Sequence, residues 1–233
     1  LFATQKEDMN ISLSAIQLLW KLSDFVLKKM KSTTDSEINI GANDESVKDI
    51  DILWMNLLEE LSLHCSDRRP EVRNSAHQTL FRTMSLNGKR FKLNSWNECI
   101  WNVIFPLLEK VSNFSNTQTI MDLRKSGYQS LVIGESNEMD LSSSGEPYSD
   151  KNVARQWDET KIITIKGVMK TFIDFLPILS LLEDKFDRAF ITLIDFLQKF
   201  ILSSPNEVAI IALSYYLALV DLFISMDAQE PKD

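Results

Sequence analysis

Apolar residues recur along most of this chain at spacings of three and four, the period of a helix with one buried face. Ile11, Ala15, Leu18, Leu19, Leu22 and Val26 fall on one stripe and predict a helix over 10–30, with Asn10 as its N-cap. Ile50, Leu53, Leu57 and Leu61 predict a second over 46–64, and Val72, Ala76, Leu80 and Thr83 a third over 70–86, with Pro70 in its first turn. A fourth, over 95–111, opens on Ser95 with Glu98 three residues on, the pattern of a capping box, and carries Trp101, Ile104, Phe105 and Leu108. Ile162, Ile165, Met169, Phe172 and Leu176 give a fifth over 153–179, and Phe186, Phe190, Leu193, Leu197 and Ile201 a sixth over 182–203. The seventh, over 205–226, follows Ser204-Pro205-Asn206-Glu207, a capping box joined to a first-position proline, and continues through Val208, Ile211, Ala212, Tyr215, Leu219 and Leu222. No segment reads as a strand.

Breaks fall between the stripes. Gly41, Gly88, Gly127, Gly134 and Gly145 all lie there, while Pro106 and Pro177 fall late in the fourth and fifth helices and should bend or end them locally. Two loops are predicted. One is polar and spans 31–45. The other spans 112–151, with Ser142-Ser143-Ser144-Gly145-Glu146-Pro147 near its centre. Its acidic, serine-rich part, 134–150, has too little apolar surface to offset its ordering entropy and is expected to be mobile; Ile120–Leu123 could form a short docked turn within the loop.

One turn names an architecture. Asp67-Arg68-Arg69-Pro70-Glu71-Val72-Arg73-Asn74-Ser75-Ala76, with Leu80 following, has the form of the turn between the two helices of a HEAT repeat. Asp67 and Pro70 shape the turn, Val72 and the small Ala76 face the core, and Arg73 is expected to bridge to an aspartate of a neighbouring repeat. The fold class is therefore all-α: a HEAT/armadillo-like α-solenoid of about seven helices in antiparallel pairs, with one long flexible loop. Helices two and three, four and five, and six and seven form the pairs, and helix one is the second half of another repeat. Each pair needs its neighbours to bury its apolar face.

Composition narrows the function classes. The formal net charge of −8 makes general nucleic-acid binding a poor fit, because phosphate neutralisation needs clustered Lys and Arg. The 2 cysteines, Cys65 and Cys99, are no disulfide framework, so a reducing compartment is the default. The uncharged run Val208–Val220 is shorter than the roughly 20 residues a membrane span requires. Leu1-Phe2-Ala3 shows no initiator Met and no signal peptide, and the chain reads as a fragment of something longer.

Candidate chemistry is sparse. No phosphate loop, nucleophile elbow or His-Glu-x-x-His is present, and neither a catalytic site, a cofactor site nor a small-molecule substrate is expected. His64 and Cys65 are adjacent and diverge by about 100° on a helix, so no metal site is expected. Asp184 and Arg188 read as an i, i+4 surface pair. Positive charge concentrates at Arg68, Arg69, Arg73, Arg82, Lys89, Arg90 and Lys92. Arg68, Arg69 and the turn Lys89-Arg90-Phe91-Lys92 are the candidates for docking an acidic partner or anionic lipid. Trp96 and Tyr216 are candidate exposed aromatic contacts, although such residues more often belong to the core.

The segment Asn10–Phe25, the run Arg69–Phe81, and Trp96 with Trp101-Asn102-Val103-Ile104-Phe105-Pro106 together resemble the Mon-two family of large Golgi scaffolds related to Arf exchange factors. The likeness covers roughly 10–111 and is architectural after 153, and the long acidic loop suggests a fungal-type member, here an internal or C-terminal fragment. The resemblance implies a non-catalytic protein-interaction scaffold in endosome-to-Golgi traffic. It implies a cytoplasmic protein, peripheral on trans-Golgi and endosomal membranes. Its implied partners are a Dopey-type protein, an aminophospholipid flippase and an Arf-like GTPase. The alternative is a membrane-recruitment module that binds anionic lipid or the GTPase through the basic turn.

Overall fold

The computed structural model describes residues 9–36, 44–113 and 148–227. Among these, every regular element is helical. Helix α1 is Met9–Ser36, α2 is Asp44–His64 and α3 is Pro70–Asn87. A 3₁₀ turn, Gly88–Arg90, leads from α3 toward Leu93–Glu98. From there the chain runs through a π-helical turn, Cys99–Ile104, into a last α-helical stretch at 105–113, and these three stretches form one rod, α4. Then come α5 (Tyr148–Leu179), α6 (Asp184–Ser203) and α7 (Asn206–Asp227).

Packing arranges the seven helices in two layers. One layer is α1, α3, α5 and α7, each against the next. The other is α2 against α4, with α4 reaching α6 where Phe105 and Phe196 stack at 5.9 Å. Between layers, α2 packs on α3 and α6 on α7, while Trp96 of α4 meets Phe175 of α5 at 4.8 Å. This is the geometry of a solenoid, in which each pair borrows its neighbours to complete its core.

Several boundaries differ from the sequence reading. α1 runs six residues past its expected end at 30, to Ser36, and α5 begins at Tyr148, ahead of 153. The expected capping box at Ser95 does not form. Lys92 occupies the N-cap with no side-chain bond, and Ser95 is buried one turn into the helix. Gly41, the turn at Ile120–Leu123 and the serine-rich stretch 134–147 lie outside the described residues.

The prolines act in different ways. Pro106 has no N–H to offer, and its ring would crowd the carbonyl four residues back. The π-turn immediately before it widens the helix, with the Phe105 N–H donating to Ile100 O, five residues back, and the rod continues. Pro177 lies inside α5, which ends at Leu179 in a 3₁₀ turn, Ser180–Leu182.

Candidate functional site

A chain of aromatic rings fastens the layers. Trp54, Phe91, Trp96 and Phe175 follow one another at 5.4, 5.3 and 4.8 Å between ring centroids. The Trp96 indole N–H donates to Gly88 O at 3.0 Å, and a Cβ at Gly88 would stand 2.6 Å from both Phe175 Cζ and Trp96 Cζ2. Glycine is thus required at Gly88 by close approach, as its backbone is ordinary right-handed. Phe91 and Trp96 are buried in this chain of rings, so the structure removes both as surface contacts. The physical reason is that the turn folds inward to cap the α2–α4–α5 junction.

The positive charges do not form one patch. Arg68 and Arg69 precede α3 and Lys89 and Arg90 follow it, so its 18 residues hold the two pairs about 27 Å apart. Arg69 is bound to Asp67: its backbone N–H, Nε–H and Nη2–H all reach that carboxylate, at 2.8, 3.0 and 2.9 Å. Burial pushes the Asp67 carboxyl up, but the Arg69 hydrogen bonds and charge outweigh it and hold it below the usual carboxylate range. Lys92 pairs with Asp51 of α2 at 2.9 Å. Arg68, Lys89 and Arg90 are exposed.

Among the described residues Arg73 bridges to no aspartate side chain. Its guanidinium is almost fully buried and lies 4.0 Å over the Trp157 ring. It donates to Thr160 Oγ1 at 2.6 Å and to the carbonyls of Asp67, Arg68 and Gln156 at 2.8, 3.2 and 3.3 Å. Burial pulls its pKa down to about 10, with Asp67, Glu71 and Glu159 opposing the fall, so it remains charged at neutral pH. One turn along, His77 Nδ1 faces Arg73 O at 2.9 Å and Nε2 faces Thr164 Oγ1 at 2.8 Å. A neutral ring with its proton on Nδ1 donates to Arg73 O, and the single proton of the Thr164 hydroxyl is shared between Nε2 and Thr160 O, which lies 2.8 Å away. Burial pushes the His77 pKa down to about 4. Arg73 and His77 on α3 thus meet Thr160 and Thr164 on α5 in matched steps of four, a buried polar seam that fixes the register of the two helices.

The two cysteines are inert core residues. Burial raises the Cys65 thiol well above its ordinary range and pushes Cys99 up to about 12. His64 is buried beside Cys65, with Nε2 3.3 Å from Glu60 Oε1. That pair is within ion-pair distance, yet Nε2 makes no hydrogen bond, so the contact is a loose one. Among the described residues no group of three or more His, Cys, Asp or Glu could hold a metal. Nor is any described helix long and apolar enough to cross a membrane. Arg188 lies over the Trp101 ring at 5.9 Å instead of pairing with Asp184.

Exposed apolar rows are the feature the sequence reading missed. On α7, Ile210, Leu213, Leu217, Val220 and Ile224 share one face and are exposed, Ile210 at 65% and Leu217 at 53%. Their spacings of three and four residues keep them within about 80° of each other around the helix. Ile11, Leu18, Leu22 and Phe25 make a similar row on α1. Tyr216, expected as an exposed contact, is half-buried and packs on the core together with Tyr215. The signal lay in α7 itself, which is apolar nearly all round, although one helix of a two-layer array buries only part of its circumference.

Fold and surface together define an all-α, solenoid-like array with apolar rows on its first and last helices. Residues 1–231 match the family described as the C-terminal region of Mon2 protein, and the chain belongs to that family. It is 34% identical over 218 residues to the Drosophila melanogaster protein named Protein MON2 homolog, covering 91% of this chain and 12% of that one. Its identity to the human protein of the same name is 29% over 248 residues, covering 99% and 14% respectively. More distantly, it is 30% identical over 130 residues to the Arabidopsis thaliana ARF guanine-nucleotide exchange factor GNL1, across 54% of this chain and 9% of that protein. The chain therefore spans a small part of the curated relatives it matches. No solved structure matches it.

Proposed function

We propose that this segment is a non-catalytic, HEAT-type scaffold module that binds a protein partner in endosome-to-Golgi traffic, on the cytoplasmic face of trans-Golgi and endosomal membranes. The observation that carries the reading is the α7 row, five exposed aliphatic side chains on one helical face. A contiguous exposed apolar face of this kind marks an interaction surface on a folded protein. Membership of the Mon2 family and the likeness to an Arf exchange factor support the trafficking context. Under this reading the Dopey-type protein is the first partner to test, with the flippase and the Arf-like GTPase behind it.

The test is co-precipitation of the Dopey-type partner with the full-length protein, intact or carrying Leu213→Glu with Leu217→Glu. Loss of the partner at unchanged protein level supports the proposal. Full recovery of the partner from the variant, and from a protein lacking this segment, defeats it.

The second reading, membrane recruitment through the basic turn, rests on Lys89 and Arg90, which are exposed. Two such charges fall short of the clusters of roughly 4–8 that read as anionic-lipid sites. Liposome flotation with Lys89→Glu and Arg90→Glu variants separates this reading from the scaffold.

A further inference from the structure

We infer that the groove between α3 and α5 is a docking site for a partner peptide that presents an apolar side chain beside a carboxylate. It concerns a different surface from the α7 row, and its test stands apart from that one.

The groove exists because one position lacks a side chain. Gly167 sits in mid-α5, and a Cβ there would overlap the Phe81 ring of α3. Glycine in a helix interior costs about 1 kcal/mol relative to alanine, so the close approach of ring to backbone has to offset it. Beside this contact a cavity of about 260 Å³ opens, lined by Phe81, Ser85, Leu86, Gly167, Thr171 and Phe175. Its inner surface is mostly apolar: Phe81 is half-buried, Phe175 is buried, and the buried Thr171 hydroxyl is already spent on Gly167 O at 2.8 Å. Leu86 stands at the edge, 59% exposed. That volume is below the usual range for a cofactor or drug-sized ligand and suits one large side chain.

The rim sets the charge of the occupant. Arg82 lies on it with its guanidinium 4.8 Å over the Trp20 ring of α1, and it makes no ion pair among the described residues. Stacking on an indole leaves the edge N–H groups of the guanidinium open to a carboxylate. Lys170, also on the rim, is matched by Asp174 at 2.8 Å. Among the described residues the net result is one pre-positioned, uncompensated cation beside an apolar slot. This favours a peptide with an aromatic or aliphatic anchor and a neighbouring Asp or Glu. An anionic membrane, which binds through clusters of basic residues, finds one unpaired charge here among the described residues and has no use for the slot.

The experiment is fluorescence anisotropy on the full-length protein, using fluorescein-labelled decapeptides of Ala, Gly and Ser that carry one Phe and one Glu at separations of one to four. Controls replace Glu by Lys, or Phe by Ala. The expected result is saturable binding of at least one Phe/Glu peptide near about 0.1–1 mM, with each control at least about fivefold weaker. Ser85→Trp, which fills the slot from an exposed position, abolishes it, and Arg82→Glu weakens it about tenfold. Circular dichroism and thermal unfolding confirm that both variants fold. The inference is overturned if no Phe/Glu peptide saturates by about 2 mM, or if Phe/Lys peptides bind equally well. It is overturned equally if Ser85→Trp leaves binding unchanged. Flotation with phosphatidylcholine–phosphatidylserine vesicles that depends on Arg82, without peptide binding, assigns the cation to a membrane and also overturns it.

Discussion

At the scale of single residues, the structure turns on a few side chains whose identity was legible but whose partners were not. Arg73 stood out in the turn pattern as a structural arginine, yet beside the local carbonyls of Asp67 and Arg68 its acceptors are Thr160 and Gln156, more than eighty positions further on, with Trp157 as its stacking face. Local sequence encodes a helix face but not which distant residue lies opposite it. A lysine cannot reproduce the planar, multiply bonded fit, so Arg73→Lys should destabilise by about 2–4 kcal/mol in chemical unfolding. His77 gives a pH signature. Its folded pKa of about 4 lies below its ordinary 6.5, so between those values the unfolded chain binds more protons. Stability therefore falls as pH drops through that window, by up to about 3 kcal/mol, and levels off below it. Urea unfolding across the window checks this, and His77→Gln should flatten the slope. Glu183 departs most from ordinary backbone, with φ 52° and ψ −128° at the N-cap of α6. Glu183→Gly relieves that strain and should raise stability by about 1 kcal/mol in thermal unfolding.

At the scale of elements, periodicity revealed the helices because each buries one stripe, and the cores of α3 to α7 match the expected stripes closely, whereas the expected residues Ile11, Leu18 and Leu22 of α1 and Leu53 of α2 are exposed and Ile16, Trp54 and Leu58 are buried in their place. Val72, Ala76, Leu80 and Met84 of α3 are all fully buried, as are Val208 and Ala212 of α7. The ends were less legible. Pattern stops where a helix leaves the core, but backbone hydrogen bonding continues, so α1 reaches Ser36 and α5 starts at Tyr148. Capping motifs misled at Ser95, because packing of Trp96 drew that turn inside the protein. Pro106 is expected to bend or end its helix, and the π-turn before it absorbs the proline within a continuing rod. The α3–α5 contact makes a further prediction. Gly167→Ala should cost about 1–3 kcal/mol by driving a methyl into the Phe81 ring. Adding Phe81→Leu should return part of that loss, and a double-mutant cycle of unfolding free energies reads the coupling.

Across the whole molecule, the two-layer array follows from helix pairing, but its surface does not follow from composition. The basic residues that cluster in sequence are separated by the length of α3 and partly neutralised by Asp67 and Asp51. Of the aromatics expected to be exposed, Trp96 went into the core, because a large ring at a junction of three helices gains more from burial than from contact with water, and Tyr216 packs half-buried against the core. What remains on the surface is mainly aliphatic, with Phe25 the aromatic member: the rows on α1 and α7. The α7 row is exposed, so Leu217→Glu should change stability by less than about 0.5 kcal/mol, whereas the same change at the buried Leu219 should unfold the array. The central claim is that this face holds a protein partner. Hydrogen–deuterium exchange on the full-length protein, with and without the Dopey-type partner, tests it most directly. The account predicts slowed exchange across Asn206–Asp227 on binding; unchanged exchange there, with protection elsewhere in a complex that demonstrably forms, would contradict it.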